Sequence, residues 1–212
     1  MIKVILASAS LGRKKMLSYL NVPFNIISST VEEEKIIGKD PLDTLTLRAR
    51  LKAENVSDRL ARAALTKGSV TSYLILSADS GAILDRQLIG KPKDRSDAVK
   101  ILTQLSGCTH LFATAVYIIK IDINKSISKE VIQEGFAESL VTFRKLSRQD
   151  ISSYLSLTDY TRYAGSYALV SAQDFITNIK GSTSNVIGLP LEIIIPIFKK
   201  YNFFKPKSTK SQ

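Results

Sequence analysis

Apolar positions follow two periods along this chain. From Lys3 to Ala7 they form a short run rich in β-branched residues that breaks into Ser8-Ala-Ser10, which predicts a buried first strand. Lys14, Met16, Leu17 and Leu20 then keep helical spacing until Asn21-Val22-Pro23, and Phe24 to Ile27 reads as a second strand. Leu42, Leu45, Ala49, Ala53, Val56, Leu60 and Ala64 form one stripe, predicting a long helix. Asp40-Pro41 would start it, with Lys67-Gly68 as its stop. Tyr73 to Leu76 predicts a buried strand running into Ala78-Asp79-Ser80-Gly81. Ala82 to Leu84 and Gln87 to Ile89 predict a hairpin around Asp85-Arg86.

Asp94 to Leu105 is an amphipathic helix closed by Ser106-Gly107. Leu111 to Ile121 and Val131 to Phe143 are long enough for a pair of antiparallel strands, joined by a polar turn near Asn124-Lys125. Ser147 to Leu155 predicts a helix whose capping box uses Asp150 where Glu or Gln is usual. Gly165 to Val170 is expected as a strand, and Glu192 to Tyr201 as a closing helix interrupted by Pro196. Strands and helices alternate without repeats, so the pattern predicts an α/β domain with a mixed sheet over residues 1–202.

Size and composition narrow the class. At 212 residues with 44% hydrophobic and 23% charged residues, the chain can bury a real core. No apolar run approaches the ~20 residues of a membrane helix. Met1 to Ala7 is apolar only briefly, and Ser8, Ser10, Arg13, Lys14 and Lys15 follow at once, so it reads as a strand and not a signal peptide. Cys108 is alone, which excludes an internal disulfide framework and suits a cytoplasmic location. The formal charge of +11 favours an anionic ligand without choosing one. Basic residues are scattered except in the tail over 203–212, which is expected to be disordered. Aromatics interleaved for stacking on single strands are absent, so nucleic acid is not the expected partner, nor is a membrane.

Four segments offer chemistry. In Leu6-Ala-Ser8-Ala-Ser10-Leu-Gly12-Arg13-Lys14 a strand enters a small-residue turn and then a helix, which presents backbone N–H groups and the helix dipole to an anion. Ser8 and Ser10 add hydroxyls, and Arg13 a planar fork; the plain structural alternative is that Ser10 only caps the helix. Asp79, in Ser77-Ala-Asp79-Ser80-Gly81, can hold a divalent cation or activate a water, and Lys91 of Gly90-Lys91-Pro92 can neutralise phosphate. Their alternatives are an Asx turn and an ordinary loop. Glu32-Glu33-Glu34 can add oxygen ligands beside Asp79, or simply face solvent. Lys180-Gly-Ser182-Thr-Ser-Asn185-Val-Ile-Gly188-Leu-Pro190-Leu reads as a polar turn into the last helix, while His110 and Cys108 find no nearby partner for a catalytic dyad.

Taken together and in order, these segments resemble the Maf family. That family's Leu-Ala-Ser-x-Ser-Pro-Arg-Arg reads here Leu6 to Arg13, its Asp-Glu matches Glu32-Glu33, and its Lys-Ala matches Lys52-Ala53. Its Ala-Asp-Thr matches Ala78-Asp79-Ser80, Gly-Lys-Pro stands at 90–92, and Leu-Ser-Gly-x-Thr-His ends at His110. Gly-Ser-x-Ser-Asn-Val-x-Gly-Leu-Pro-Leu runs from Gly181 to Leu191.

The resemblance implies an elongated mixed sheet flanked by helices, with a cleft between two lobes, similar to inosine triphosphate pyrophosphatases. It implies hydrolysis of a nucleoside triphosphate to monophosphate and pyrophosphate with Mg²⁺ or Mn²⁺, and commonly a homodimer. By position, Asp79 would be general base and metal-linked carboxylate, with Glu33 assisting the metal. Ser8, Ser10, Arg13, Lys52 and Lys91 would hold the triphosphate, and Gly12, Ser80 and Val170 would stand at places that set substrate preference. Gly12 replaces the first Arg of the usual pair, and Val170 stands where Gln or Glu is expected; an apolar group there cannot read a base edge by hydrogen bonding. Ala164-Gly165-Ser166-Tyr167 is similar to the branch acting on 7-methyl-GTP, set against the dTTP/UTP branch. A rival reading is a basic nucleic-acid-binding or cell-division protein without turnover.

Overall fold

The computed structural model describes residues 2–66, 70–124 and 126–204. Its centre is a seven-stranded sheet in the order β2-β1-β3-β5-β6-β7, with β4 paired to β3 off that path. β1 (Ile2–Leu6) runs parallel to both β2 (Phe24–Ile26) and β3 (Thr71–Leu84). β4 (Gln87–Ile89), β5 (Thr109–Ile123), β6 (Ile127–Phe143) and β7 (Ile176–Lys180) join by antiparallel pairing. The helices are α1 (Leu11–Ser18), α2 (Pro41–Thr66), α3 (Arg95–Leu105), α4 (Arg148–Leu157), α5 (Thr183–Ile187) and α6 (Leu191–Lys200). None of the described helices is long and apolar enough to cross a membrane.

Local chemistry explains where the helices start. Asp40 accepts the Asp43 N–H at 2.9 Å and Asp94 accepts the Asp97 N–H at 2.8 Å, each filling an N–H that lacks an intrahelical partner. Ser147 and Asp150 form the expected reciprocal capping box. The stop proposed for α2 at Lys67-Gly68, the turn residue Lys125 and the tail from residue 205 onward lie outside the described residues. Phe203 and Phe204 still pack on Phe198, at ring-centroid distances of 5.1 and 6.2 Å.

Two expectations are corrected. Residues 165–170 are not a strand: Gly165 and Ser166 take φ of 71° and 61°, which turns the chain out of extended conformation in two consecutive steps. The strand of that region is β7, whose short mixed pattern Ile-Thr-Asn-Ile-Lys carried too weak a period to be picked out. Nor does the β3 run end before Asp79. It continues through Asp79 and Ser80, paired with Ala115 and Thr114 of β5.

The core has three parts. α2 covers one face of the sheet, burying Ile5, Ile75, Ile119 and Ile121 against Leu45, Ala49, Ala53 and Val56. Across the other face, one cluster joins Leu6, Leu74, Leu76, Ala78, Val116 and Ile118 to α1 and α6. A second joins Ala82, Phe112 and Val141 to α3, α4 and Tyr167. Fully burying each such large aliphatic side chain contributes about 1.5–3 kcal/mol. Between these two clusters, β3 and β5 carry Ser80 and Thr114 where Ala78 and Ala82, or Val116 and Phe112, stand on either side. The sheet is thus apolar, polar, then apolar along one face, and that polar seam divides the molecule into two lobes.

Candidate active site

The site forms where the sheet loses a strand. β1 pairs with β3 only as far as Leu76, and β4 takes up the same edge from Ala82 onward. Residues 77–81 of β3 therefore present an edge that no described strand covers. A cleft of about 700 Å³ opens there. One wall is the turn after β1 with the start of α1, from Ser8 to Tyr19, and the other is the segment from Thr161 to Val170. Asp79, Ser80, Glu33 and Lys91 line it as well.

Alternation along β3 sends Asp79 and Ser80 to opposite faces. Asp79 faces α2, where Lys52 Nζ lies 2.7 Å from its Oδ1 and Arg48 Nη1 lies 3.8 Å from its Oδ2. Lys52 Nζ is also 3.3 Å from Glu33 Oε2, so one ammonium is shared by two carboxylates. Glu33 reaches it from a single 3₁₀ turn, Glu33–Lys35. Burial pushes the Asp79 carboxyl up, but the charges of Lys52 and Arg13 and the hydrogen bond from Lys52 outweigh it and hold Asp79 below its ordinary value. Ser77, the previous residue on this face, donates to the Ala49 carbonyl and ties β3 to α2 directly beneath the site.

On the other face Arg13 is the organising group. Its Nε donates to the Gly188 carbonyl at 2.8 Å, Nη1 to Ser8 Oγ at 3.1 Å, and Nη2 to Ser80 Oγ at 2.9 Å. The planar fork thereby links the turn after β1, the middle of β3 and the end of α5. Burial pulls the Arg13 guanidinium down, and Asp79 and Glu33 offset part of that. Gly188 takes φ of 106° at the end of α5, and a Cβ there would meet Ser80 Oγ at 3.2 Å, so its glycine lets the carbonyl face Arg13. Thr114 Oγ1 lies 2.9 Å from both Ser80 Oγ and the Asn185 carbonyl, and Asn185 Nδ2 donates to the Phe112 carbonyl and to Ser139 Oγ, both at 2.9 Å. These bonds fill the polar seam.

Ser10 is the N-cap of α1, accepting the Arg13 N–H at 3.4 Å, so capping and presentation of Arg13 come from one turn. Ser8 Oγ accepts from Ser10 N–H and from Arg13, which leaves its own hydroxyl proton free to point into the cleft. Lys91 is exposed at the rim, on the loop after β4. Lys52 is placed differently: it is 3% exposed and occupied by carboxylates, so it reaches Asp79 and Glu33 and is not in the cleft lining. Gly12 lines the cleft with its Cβ position 3.0 Å from the Ile187 carbonyl, a spacing that leaves little room for a side chain. Val170 stands on the opposite wall, 69% exposed.

Arg48 was not picked out from the sequence. Arg48 lies four residues before Lys52 on α2, a spacing that places both on one helix face and was available as a signal. Tyr167 stood in the Ala164–Tyr167 motif, but nothing in the sequence pointed to its contact with His110.

Among the described residues no group of three or more His, Cys, Asp or Glu side chains is placed to hold a metal. Glu33 and Asp79 both line the cleft, and Lys52 Nζ bridges them from inside the protein. Two carboxylates completed by phosphate oxygens and water are what Mg²⁺ takes in nucleotide sites, so this donor pair fits the ion.

A family model described as "Maf-like protein" matches residues 3–201. A dTTP/UTP pyrophosphatase of Ruminiclostridium cellulolyticum is 35% identical over 200 residues, covering 94% of this chain and 96% of the relative. One of Treponema denticola is 33% identical over 204 residues, covering 95% and 98%. A third, of Clostridium beijerinckii, is 34% identical over 191 residues, covering 89% and 94%.

Proposed function

The chain belongs to the Maf family, and we propose that it is a nucleoside triphosphate pyrophosphatase, converting a non-canonical or surplus triphosphate to monophosphate and pyrophosphate. One observation carries this reading: a buried carboxylate, Asp79, lies at an uncovered strand edge beside Lys52 and Arg48, on the floor of a cleft large enough for a nucleotide. Hydrolysis of a phosphoanhydride needs charge neutralisation and an oriented water, and little covalent chemistry.

In this reading Asp79 accepts a hydrogen bond from the attacking water and takes its proton. Lys52 keeps Asp79 ionised and fixes its orientation, since one Nζ bridges Asp79 and Glu33. Glu33 and Asp79 would hold Mg²⁺ or Mn²⁺, which when bound neutralises phosphate charge. Arg13, Ser8, Ser10 and the N–H groups opening α1 bind phosphate oxygens from one wall, and Lys91 reaches them from the rim. The nucleoside lies against the Tyr163–Val170 wall. The relatives' names favour a pyrimidine triphosphate such as dTTP or UTP, with 7-methyl-GTP as the alternative. The reading includes a cytoplasmic enzyme and a homodimer, which light scattering would check.

The test is a panel of canonical and modified triphosphates with Mg²⁺ or Mn²⁺, monitored for pyrophosphate against orthophosphate. Metal-dependent pyrophosphate release from at least one of them is expected. Orthophosphate as the only product, or salt-sensitive DNA binding with no turnover of any triphosphate, would reject it.

A further inference from the structure

The wall that faces the nucleoside is built from a strained turn, and its anchor is a buried histidine outside the cleft. Gly165 and Ser166 are both left-handed, an uncommon state for the serine, and both are buried. Tyr167 follows at once and points into the apolar lobe, between Phe112, Phe143 and His110. Its Oη lies 2.8 Å from His110 Nε2, and His110 is 1% exposed. His110 Nδ1 has no partner among the described residues, so Tyr167 is the polar contact that this ring makes. The same turn reaches the phosphate side, because the Gly165 N–H donates to the Gly90 carbonyl at 2.9 Å, next to Lys91.

We propose that His110 is a positioning residue: through Tyr167 it holds the Gly165–Ser166 turn in place, and so sets both the nucleoside wall and the approach of the Lys91 loop. The inference rests on the nucleotide reading for its effect on affinity, though not for its effect on the turn. His110 touches no substrate. Its influence falls on binding at the nucleoside wall and the Lys91 loop, while Asp79, Glu33 and Lys52 belong to the opposite face of the sheet.

Three variants test it: His110→Leu, which removes the polar contact; Tyr167→Phe, which removes only the hydroxyl; and His110→Gln, whose terminal amide reaches the place of Nε2. For His110→Leu and Tyr167→Phe, the KM for the best triphosphate and the Kd of a non-hydrolysable analogue should rise about tenfold, with kcat within about threefold. Hydrogen exchange over residues 160–171 should speed up in both. His110→Gln should restore affinity and exchange together. Wild-type affinity and exchange in a folded Tyr167→Phe overturn the proposal, as does a His110→Gln no better than His110→Leu. Should His110→Leu fail to fold, Tyr167→Phe and His110→Gln decide alone. A wild type that neither binds nor cleaves triphosphates rejects the nucleotide reading, and the exchange comparison still decides the role of His110.

Discussion

Lys52 Nζ lies 2.7 Å from Asp79 Oδ1 and only 3.3 Å from Glu33 Oε2, inside the protein rather than in the cleft. A triphosphate-binding lysine would be free to meet its ligand; this one is already committed to the acidic pair. That placement gives it a hold on the charge and orientation of Asp79.

Asp79→Asn keeps the size of the side chain but removes the proposed base. Turnover should fall by about 10²–10⁴-fold, the usual range for loss of a general base. Lys52 retains Glu33, so the variant should fold, destabilised by about 1–3 kcal/mol. Pyrophosphate release and a denaturant melt measure both, and near-normal rates would remove Asp79 from the mechanism.

Lys52→Met leaves two carboxylates facing each other. In the wild type Asp79 is held below its ordinary value, so the acid limb of kcat/KM should lie below the usual carboxylate range. A carboxylate depressed in the folded state lends stability that is present above the unfolded pKa and is lost as pH falls through the folded one. Removing Lys52 should therefore move the acid limb to higher pH and weaken the folded state near neutrality. An unmoved limb in the pH–rate profile contradicts the assigned role.

Arg13→Lys tests the fork. An ammonium on a flexible stem cannot hold Gly188, Ser8 and Ser80 in one plane, so kcat/KM should drop by about 10²-fold although the charge is kept. Retention of activity would mean that charge alone suffices.

Burial lowers the His110 pKa to about 4, from an ordinary value of 6.5. The unfolded chain then binds more protons than the folded one between those values, so stability falls as pH drops through that window and is flat below it. Between pH 7 and pH 4 the wild type should lose roughly 3 kcal/mol relative to His110→Gln, which has no proton to gain. Parallel stability–pH curves for the two proteins would contradict the burial effect.

Val170 offers no hydrogen bond to a base, so the wild type should discriminate among bases by less than about tenfold. Val170→Gln should sharpen that preference in a substrate panel. A wild type already selective for one base would place the recognition elsewhere on the wall.

Much of this was legible in the sequence. Strongly periodic stripes located α2, α3 and α4, and cap residues such as Asp94 and Ser147 fixed their starts. The N-terminal turn, Glu33, Asp79 and Lys91 were recognisable as candidate site residues, and all of them line one cleft. Two things were hidden. Tandem left-handed residues at Gly165 and Ser166 depend on tertiary anchors far along the chain, so an apolar stretch there imitated a strand. The place of Lys52 was hidden because helical spacing puts it on the face of α2 but does not say that two acids wait there.

The polar seam between the two apolar clusters is crossed by β3 and β5 without interruption. Each lobe has strands of its own, β1 and β2 in one and β4 and β7 in the other, but both share β3 and β5. Cutting the gene at the seam would give two fragments with frayed sheets and naked cores, so the lobes cannot be shuffled between proteins as modules. Widening or narrowing of the gap has to work against the continuous pairing of β3 with β5.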